Sequence, residues 1–331
     1  MTGKAVALIS GGLDSALAIH LVKAQGIDVT AVHFTAFFNA GNPELEDSAV
    51  MVTARQLGVP VILEPRGHDF IEVIRNPRFG HGKNINPCID CRIYSFIKTK
   101  TLMEEIGASF MVTGEVVGQR PMSQRRDAIG FIERKSGCSG IVVRPLSGKL
   151  LPPTLPEKAG IIDRDKLLDI AGRGRKTQLA LAREIGLTGY QTPAGGCLLT
   201  DKNFSNRLRD LLEDKDDVLP EELDLLGVGR HLRIRPGLKI VVGRKEAENK
   251  IIQGLAQVGI LLSPAGFPGP VVLAQGSPDS EEEALIGSII RRYSKEATRG
   301  EQIRIVGPSS QERQVSVTSV ADDEWISEHM I

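Results

Sequence analysis

Two sets of side chains in this chain have the types and spacing that do chemistry. The first is Ser10-Gly11-Gly12-Leu13-Asp14-Ser15, which follows an apolar run ending at Ile9 and opens a helical pattern from Leu13 to Lys23. A glycine pair lets the backbone turn without Cβ obstruction, and the free amides of the following helical turn then point at whatever anion sits there. Asp14 adds carboxylate oxygens and Ser15 a hydroxyl. The segment has no Gly-Lys-Ser/Thr ending and no third glycine at dinucleotide spacing, which excludes the common P-loop and the Rossmann fingerprint. The second set is sulfur. Cys88 and Cys91 stand in Asn86-Pro87-Cys88-Ile89-Asp90-Cys91-Arg92, a loop leading into a helix. Two thiols at that spacing chelate one ion or close a small disulfide, and a helix N-terminus lowers a thiol pKa. Cys197, in Ala194-Gly195-Gly196-Cys197, has glycine neighbours that leave its sulfur accessible. Sharing one site, three thiolates suit a 4Fe-4S cluster with one iron open, or zinc with His81 or water as fourth ligand. Inert buried cysteine is the alternative, and it is the reading for Cys138 in Ser136-Gly137-Cys138-Ser139-Gly140.

The elements that must position these groups read as an alternation. Strands are expected at Ala5–Ile9, Val29–Phe34, Val61–Glu64 and Ser109–Thr113, with helices from Leu13 and at Glu44–Leu57, Asp69–Arg75 and Arg92–Ile106. Near-continuous apolar strands alternating with helices imply α/β architecture, a parallel sheet with helices on both faces. Ligand crevices of such sheets lie at the carboxyl ends of strands. Gly114 and Gln119 are therefore candidates to line a nucleotide pocket, Glu115 to approach a metal or ribose, and His33 and Phe34 to border an adenine; ordinary strand-end roles compete with each. Short β pieces are expected at Ala128–Glu133 and Ile141–Pro145, helices at Arg164–Ala171 and Gln178–Ile185, a loop at Thr188–Thr200, and a helix at Asp201–Leu212.

Length bounds the organisation: 331 residues imply about two domains. Residues 1–212 read as the first, 213–225 as an acidic linker and 226–331 as a smaller α+β domain. In the last, strands are expected at His231–Ile234, Leu238–Val242, Gly269–Ala274, Ile303–Val306 and Gln314–Val320, and helices at Lys245–Val258 and Ser280–Tyr293. Four cysteines are too few for a disulfide framework, and apolar runs are strand-sized, so a cytoplasmic protein without a membrane span is expected. Lys+Arg and Asp+Glu both number 41. The charges are segregated, however: Arg120, Arg125, Arg126, Arg134 and Lys135 form one basic group, and Arg164, Lys166, Arg173, Arg175, Lys176 and Arg183 another. Such clusters permit a nucleic-acid face, although a charge run is usually only solvated surface.

These motifs carry a resemblance. Ser10–Ser15 matches the SGGxDS pyrophosphate loop of the adenine-nucleotide α-hydrolase superfamily, the PP-loop enzymes of HUP-type fold that split ATP into AMP and pyrophosphate. Together with Val112-Thr113-Gly114-Glu115, Gly118-Gln119 and Arg144-Pro145-Leu146, it resembles the nucleotide-binding part of tRNA 4-thiouridine synthetases. The Cys88/Cys91 loop is similar to that of three-cysteine tRNA 2-thiouridylases. Gly229-Arg230-His231 and Lys239–Arg244 resemble the small RNA-binding domain of NFACT-type proteins. There, acidic and basic residues nearly balance, but a stripe of Arg230, Arg233, Arg235, Arg244 and Lys245 offers local phosphate contacts. The chain departs from the synthetases in starting at the first strand, without an RNA-capturing N-terminal domain, and in lacking a rhodanese-like domain.

The resemblance implies an ATP-dependent sulfurtransferase acting on tRNA. A uridine carbonyl oxygen is adenylylated with release of pyrophosphate and then replaced by sulfur. It implies ATP and Mg²⁺, nucleotide contacts from Ser10, Gly11, Gly12, Leu13, Asp14, Ser15, Phe34, Gly114 and Gln119, and catalytic roles for Asp14, Cys88 and Cys197. Cys88, Cys91 and Cys197 are the expected ligands of a 4Fe-4S cluster, with zinc as alternative. The sulfur donor is a cysteine desulfurase or free sulfide. Competing readings are ATP-dependent thiolation or amidation of a small molecule, and a non-catalytic nucleotide- or RNA-binding protein.

Overall fold

The computed structural model describes residues 3–35, 48–190, 197–296, 299–307 and 311–331. It divides at Thr200/Asp201 into two compact units.

In the first unit, strands β1 (Lys4–Leu8), β2 (Asp28–Thr35), β3 (Val61–Pro65), β4 (Phe110–Val112) and β5 (Val142–Val143) form one sheet in the order β3-β2-β1-β4-β5. Every pairing is parallel. Alternation along β1 sends Ala5 and Ala7 to one face and Val6 to the other. The first face packs against Ala18, Ile19 and Val22 of α1 (Leu13–Lys23) and Val50 and Ala54 of α2 (Ala49–Leu57). The second face meets Phe96 and Met103 of α4 (Cys88–Glu105) and Ile132 of α5 (Arg126–Ser136); α3 (His68–Arg75) lies between α2 and α4 in sequence. Helices on both sides make this the expected doubly covered α/β sheet. Because β2 and β4 flank β1 on opposite sides, the strand order reverses at β1, and the turns after β1 and β4 border the crevice where such folds take ligands.

Two local expectations fail. Ala128–Glu133 is not a β piece but the middle of α5. Ala128, Ile129 and Ile132 fall on one helical face and are buried, Asp127 sits in the first turn, and Gly137 ends the helix in the left-handed region at φ 66°. Arg164–Ala171 forms only one 3₁₀ turn, Arg164–Lys166. The chain then runs extended because Leu168 and Ile170 donate their N–H groups to the carbonyls of Pro145 and Leu146 (2.8 Å each). Short α6 (Leu155–Lys158) and then α7 (Lys176–Glu184) complete this unit, α7 packing Ala182 against Leu13, Ala16 and Leu17 of α1.

The second unit begins with α8 (Lys202–Asp214) and α9 (Pro220–Leu225). Within the acidic stretch, α9 buries Leu223 and Leu225 together with Glu222, which bonds Lys215 and Gln275, so this segment is a packed element. Six strands follow in an antiparallel sheet of order β11-β10-β8-β9-β7-β6. They are β6 (Arg230–Arg235), β7 (Leu238–Val242), β8 (Ile260–Pro264), β9 (Val272–Gln275), β10 (Gln302–Val306) and β11 (Glu312–Ser316). Ile240 and Val242 of β7 face Ile286, Ile289 and Ile290 of α11 (Ser280–Arg292), whereas Val241 faces Leu225 of α9 and Ile252 of α10 (Glu246–Gly254). Strand β8 and a terminal helix, α12 (Asp323–His329), are additions to the elements expected from sequence. Among the described residues, no helix is long and apolar enough to cross a membrane.

Candidate active site

The loop after β1 is held from several directions. The Ile9 amide still bonds Val32 of β2 (2.9 Å), and Gly11 then reverses the chain at φ 73°, a conformation that suits glycine. Gly12 caps α1 without a side-chain bond, so no capping oxygen consumes the first-turn amides. The Ser15 hydroxyl donates to the Gly12 carbonyl (2.8 Å) and accepts from the Ser10 amide (3.3 Å), closing the loop on itself. Leu13 contributes only backbone here, because its side chain lies in the core with Leu17 and Leu146. From the end of β4, Gly114 approaches so closely that a Cβ on it would fall 2.4 Å from the Ser15 nitrogen.

Asp14 is the acidic centre of the loop. Its Oδ2 accepts from Gln119 Nε2 (3.1 Å) and from Arg175 Nη2 (2.9 Å). Its Oδ1 is buried without a hydrogen-bond partner. A buried carboxylate oxygen lacking a donor fits a hard cation, and Mg²⁺ is commonly held by one or two carboxylates with phosphate and water completing the shell. Asp14 therefore suits Mg²⁺.

Strand ends beside the loop carry the other nucleotide candidates. Phe34 closes β2, largely buried, with the Arg66 guanidinium 5.6 Å from its ring centre; the same guanidinium stands 4.8 Å from the Phe70 ring. His33 Nδ1 bonds the Ile9 carbonyl (3.0 Å), which ties the ends of β1 and β2 together. Burial pushes its pKa down, and Arg66 adds to that. Glu115 is not free to meet a metal or ribose. It is 2 % exposed and bridges Arg92 (3.0 Å) and Arg144 (2.9 Å). Burial raises its pKa, but the two guanidinium groups outweigh that and hold it below the ordinary carboxylate value.

The sulfur residues converge as well. Cys88 starts α4, Cys91 lies one turn on, and Asn86 Nδ2 donates to Cys88 Sγ (2.9 Å). Asn84, the one described non-glycine residue at positive φ, donates to the Thr200 carbonyl (2.7 Å), while the Thr200 amide bonds the Cys197 carbonyl (2.8 Å). That relay fastens the Cys197 segment to the Cys88 loop. Burial pushes the Cys88 thiol up, Cys197 and Cys91 push it further, and Arg120 and Arg92 pull it back in part. The helix N-terminus thus does not leave Cys88 with a lowered pKa. Cys197 presents open surface, yet the protein around its sulfur still raises its pKa, with Arg66 and Arg120 opposing. The three thiols lie in one another's electrostatic field. They offer the donor chemistry that iron or zinc takes, although among the described residues no three His, Cys, Asp or Glu side chains are gathered in a metal-holding group. His81 spends Nε2 on the Ile74 carbonyl (2.7 Å). Cys138 is fully buried near the carbonyls of Phe96 and Ser136, a structural thiol. Ala194, Gly195 and Gly196, expected to give access to Cys197, lie outside the described residues.

Comparison with known families agrees with this geometry. Residues 1–150 match the family described as thiamine biosynthesis protein (ThiI), and residues 229–330 match the NFACT protein RNA binding domain. Residues 1–150 are thus similar to ThiI-type proteins. Curated relatives of this chain include the tRNA-specific 2-thiouridylase MnmA of Pelobacter propionicus, 33% identical over 121 residues, 34% of this chain and 33% of the relative. The MnmA of Dichelobacter nodosus is 25% identical over 217 residues, covering 62% of this chain and 54% of the relative. A probable tRNA sulfurtransferase of Methanothermobacter thermautotrophicus is 29% identical over 118 residues, 35% of this chain and 30% of the relative. The chain thus spans about half the length, or less, of these relatives. Among solved structures, a 4-thiouridine synthetase–RNA complex with bound ATP aligns with 68% of this chain and 52% of that one, at 22% identity and a TM-score of 0.41.

The second unit uses its basic stripe internally. Arg233 bonds Asp210 (2.9 and 2.8 Å) and Asp214 (3.1 Å), Arg235 bonds Glu282 (2.6 Å), and Arg244 bonds Glu248 (2.6 Å). Arg230 lies over the Tyr293 ring at 4.4 Å. Four of the five stripe residues are therefore engaged within the fold and do not form a free phosphate ladder. Sequence reasoning also missed Arg66 and Asn84, and it gave Arg144 no role beyond its place in the Arg144-Pro145-Leu146 motif. Of the first two, Asn84 carried a local signal, as an asparagine of the kind that tolerates positive φ.

Proposed function

We propose that the chain is an ATP-dependent tRNA sulfurtransferase: it adenylylates a uridine carbonyl oxygen, releases pyrophosphate and replaces that oxygen with sulfur. The observation that carries the reading is the presence in one unit of an SGGxDS loop without a side-chain cap, the orphaned Asp14 Oδ1 within it, and a Cys197 segment fastened to the Cys88 loop through Asn84 and Thr200. The ThiI-type match and the curated thiolase relatives support it, as does the RNA-binding domain match.

In this reading, amides around Gly11 and Gly12 with Ser10 and Ser15 hold the phosphate chain, and Gly114, Gln119 and Phe34 border the nucleotide. The uridine oxygen attacks the α-phosphate, and the bond to pyrophosphate breaks. Bound Mg²⁺, held through Asp14, would spread the charge of the phosphates. A persulfide on Cys197, charged by a cysteine desulfurase or by sulfide with an oxidant, attacks the activated carbon. AMP departs with the former carbonyl oxygen. Cys88 or Cys91 then attacks Cys197 Sγ; the S–S pair passes to the sulfur on the base, and a protein disulfide remains for an external thiol to reduce. Cys88, Cys91 and Cys197 are also the residues that would hold a 4Fe-4S cluster, with zinc as alternative; a bound cluster would supply sulfide-binding iron chemistry.

An open cavity of about 470 Å³ adjoins the cysteine loop, with Ile89, Met122 and Phe131 in its wall and Arg125 and Arg134 beside them. Apolar surface with guanidinium groups suits an unstacked base and its phosphates. The test is ATP cleavage by the full chain with and without tRNA. AMP and pyrophosphate should form in equal amounts, stimulated by tRNA and abolished in Asp14→Asn. Cleavage to ADP and phosphate, or full activity in the variant, would overturn the reading.

A further inference from the structure

The SGGxDS loop has no lysine or arginine of its own. Pyrophosphate leaving an α-phosphate nevertheless gains negative charge, and backbone amides supply only partial compensation. Among the described residues, the fold brings a cation into contact with the loop from 161 residues away: Arg175 Nη2 lies 2.9 Å from Asp14 Oδ2.

The placement is built. Val117 and Ala171 form a parallel bridge, and the Gly172 amide bonds the Val117 carbonyl (2.8 Å), fastening the segment before Arg175 to the one before Gln119. Ser147 ties the same two segments, accepting from the Val117 amide (3.0 Å) and donating to the Ile170 carbonyl (2.6 Å). Behind Arg175, α7 is packed on α1, the helix the phosphate loop opens. Arg175 and Gln119 thus reach the same carboxylate oxygen from two braced segments. A guanidinium has five N–H donors, and the bond to Asp14 takes one; binding phosphate oxygens does not require that pair to break. The side chain keeps a quarter of its surface open, so it is accessible to a ligand.

We propose that Arg175 is the cationic pyrophosphate-binding residue of this site, oriented by Asp14, with its ligand the β,γ-diphosphate of a nucleoside triphosphate. The inference rests on the nucleotide reading of the loop and adds to it a residue outside the motif.

Calorimetric titration of the full chain with inorganic pyrophosphate and, separately, with AMP tests it, in wild type, Arg175→Ala and Arg175→Lys. Loss of a charge-assisted phosphate contact should weaken pyrophosphate about tenfold or more in Arg175→Ala, less in Arg175→Lys, and leave AMP affinity within about twofold. Unchanged pyrophosphate affinity in Arg175→Ala would overturn the assignment. Equal loss of AMP and pyrophosphate in both variants would overturn it too, marking Arg175 as a scaffold residue. A wild type that binds neither ligand would instead remove the nucleotide reading itself, and the Arg175 assignment with it. Thermal unfolding of each variant identifies a fold defect, in which case Arg175→Lys decides.

Discussion

Gly114 touches the start of α1: a Cβ built on it would stand 2.4 Å from the Ser15 nitrogen and 2.6 Å from the Asp14 carbonyl oxygen. Both obstacles are backbone and neither can swing aside. Gly114→Ala should therefore push the β4 turn away from the phosphate loop, at a cost of about 1–3 kcal/mol in stability. ATP affinity should fall while the far-ultraviolet circular dichroism stays that of the wild type. Unaltered nucleotide titration in this variant would show that the close approach is not needed.

Arg144 is 3 % exposed and bonds both Glu115 and Glu133. Removing it leaves the buried Glu115 carboxylate with Arg92 and the Thr113 hydroxyl only, so Arg144→Ala should cost about 3–5 kcal/mol, read from the urea midpoint. Replacing Glu115 and Arg144 together by Gln and Met should cost less than the single change. A single change worth under about 1 kcal/mol would be the loss of a surface pair instead.

His231 in the second unit is fully buried; its Nε2 donates to the carbonyls of Leu225 (3.1 Å) and Val228 (2.9 Å), and Nδ1 has no partner. Protonation would place a second, unbonded N–H in the core. Burial drives the folded pKa well below the ordinary 6.5, with Lys239 and Arg207 adding to it. The unfolded chain thus binds the proton first. This contribution to stability is complete above pH 6.5 and declines as the pH falls toward the folded pKa, by about 1.4 kcal/mol per pH unit. The slope should flatten in His231→Gln; a wild-type slope in that variant would assign it to other groups.

Anaerobic purification should yield iron and sulfide, or zinc, in the wild type, and the metal should fall sharply in Cys88→Ala and Cys197→Ala while ATP binding persists. Metal-free protein that still thiolates would assign the chemistry to the persulfide route. Cys138→Ser should lose only stability, because its thiol is buried against Phe96 and Ser136.

Much of the first unit was legible because its signals are local. The run ending at Ile9, the glycine pair and the start of α1 follow one another directly, and strand alternation marks both faces of the sheet. Contacts between distant segments left no such trace. Arg175 stood in the sequence as one of several basic residues, and only the Val117–Ala171 bridge brings it to Asp14. Glu115 read as a ligand because it follows a strand end, whereas burial between Arg92 and Arg144 makes it structural. In Ala128–Glu133, a β-like run of Ile129, Phe131 and Ile132 was overruled by helix-compatible ends at Asp127 and Gly137. In the second unit, Arg233 and Arg235 read as free cations of a basic stripe, whereas Asp210 and Glu282, distant in sequence, pair with them.

The central claim is sulfur transfer to RNA, and nucleoside analysis reaches it most directly. Unmodified tRNA is incubated with the full chain, ATP, Mg²⁺ and a sulfur source, then digested and analysed by mass spectrometry. A thiouridine should form that requires ATP and disappears in Asp14→Asn and Cys197→Ala. Pyrophosphate release without any thiolated nucleoside, under conditions where the enzyme is charged with sulfur, would contradict it and assign the chain to adenylylation of another acceptor.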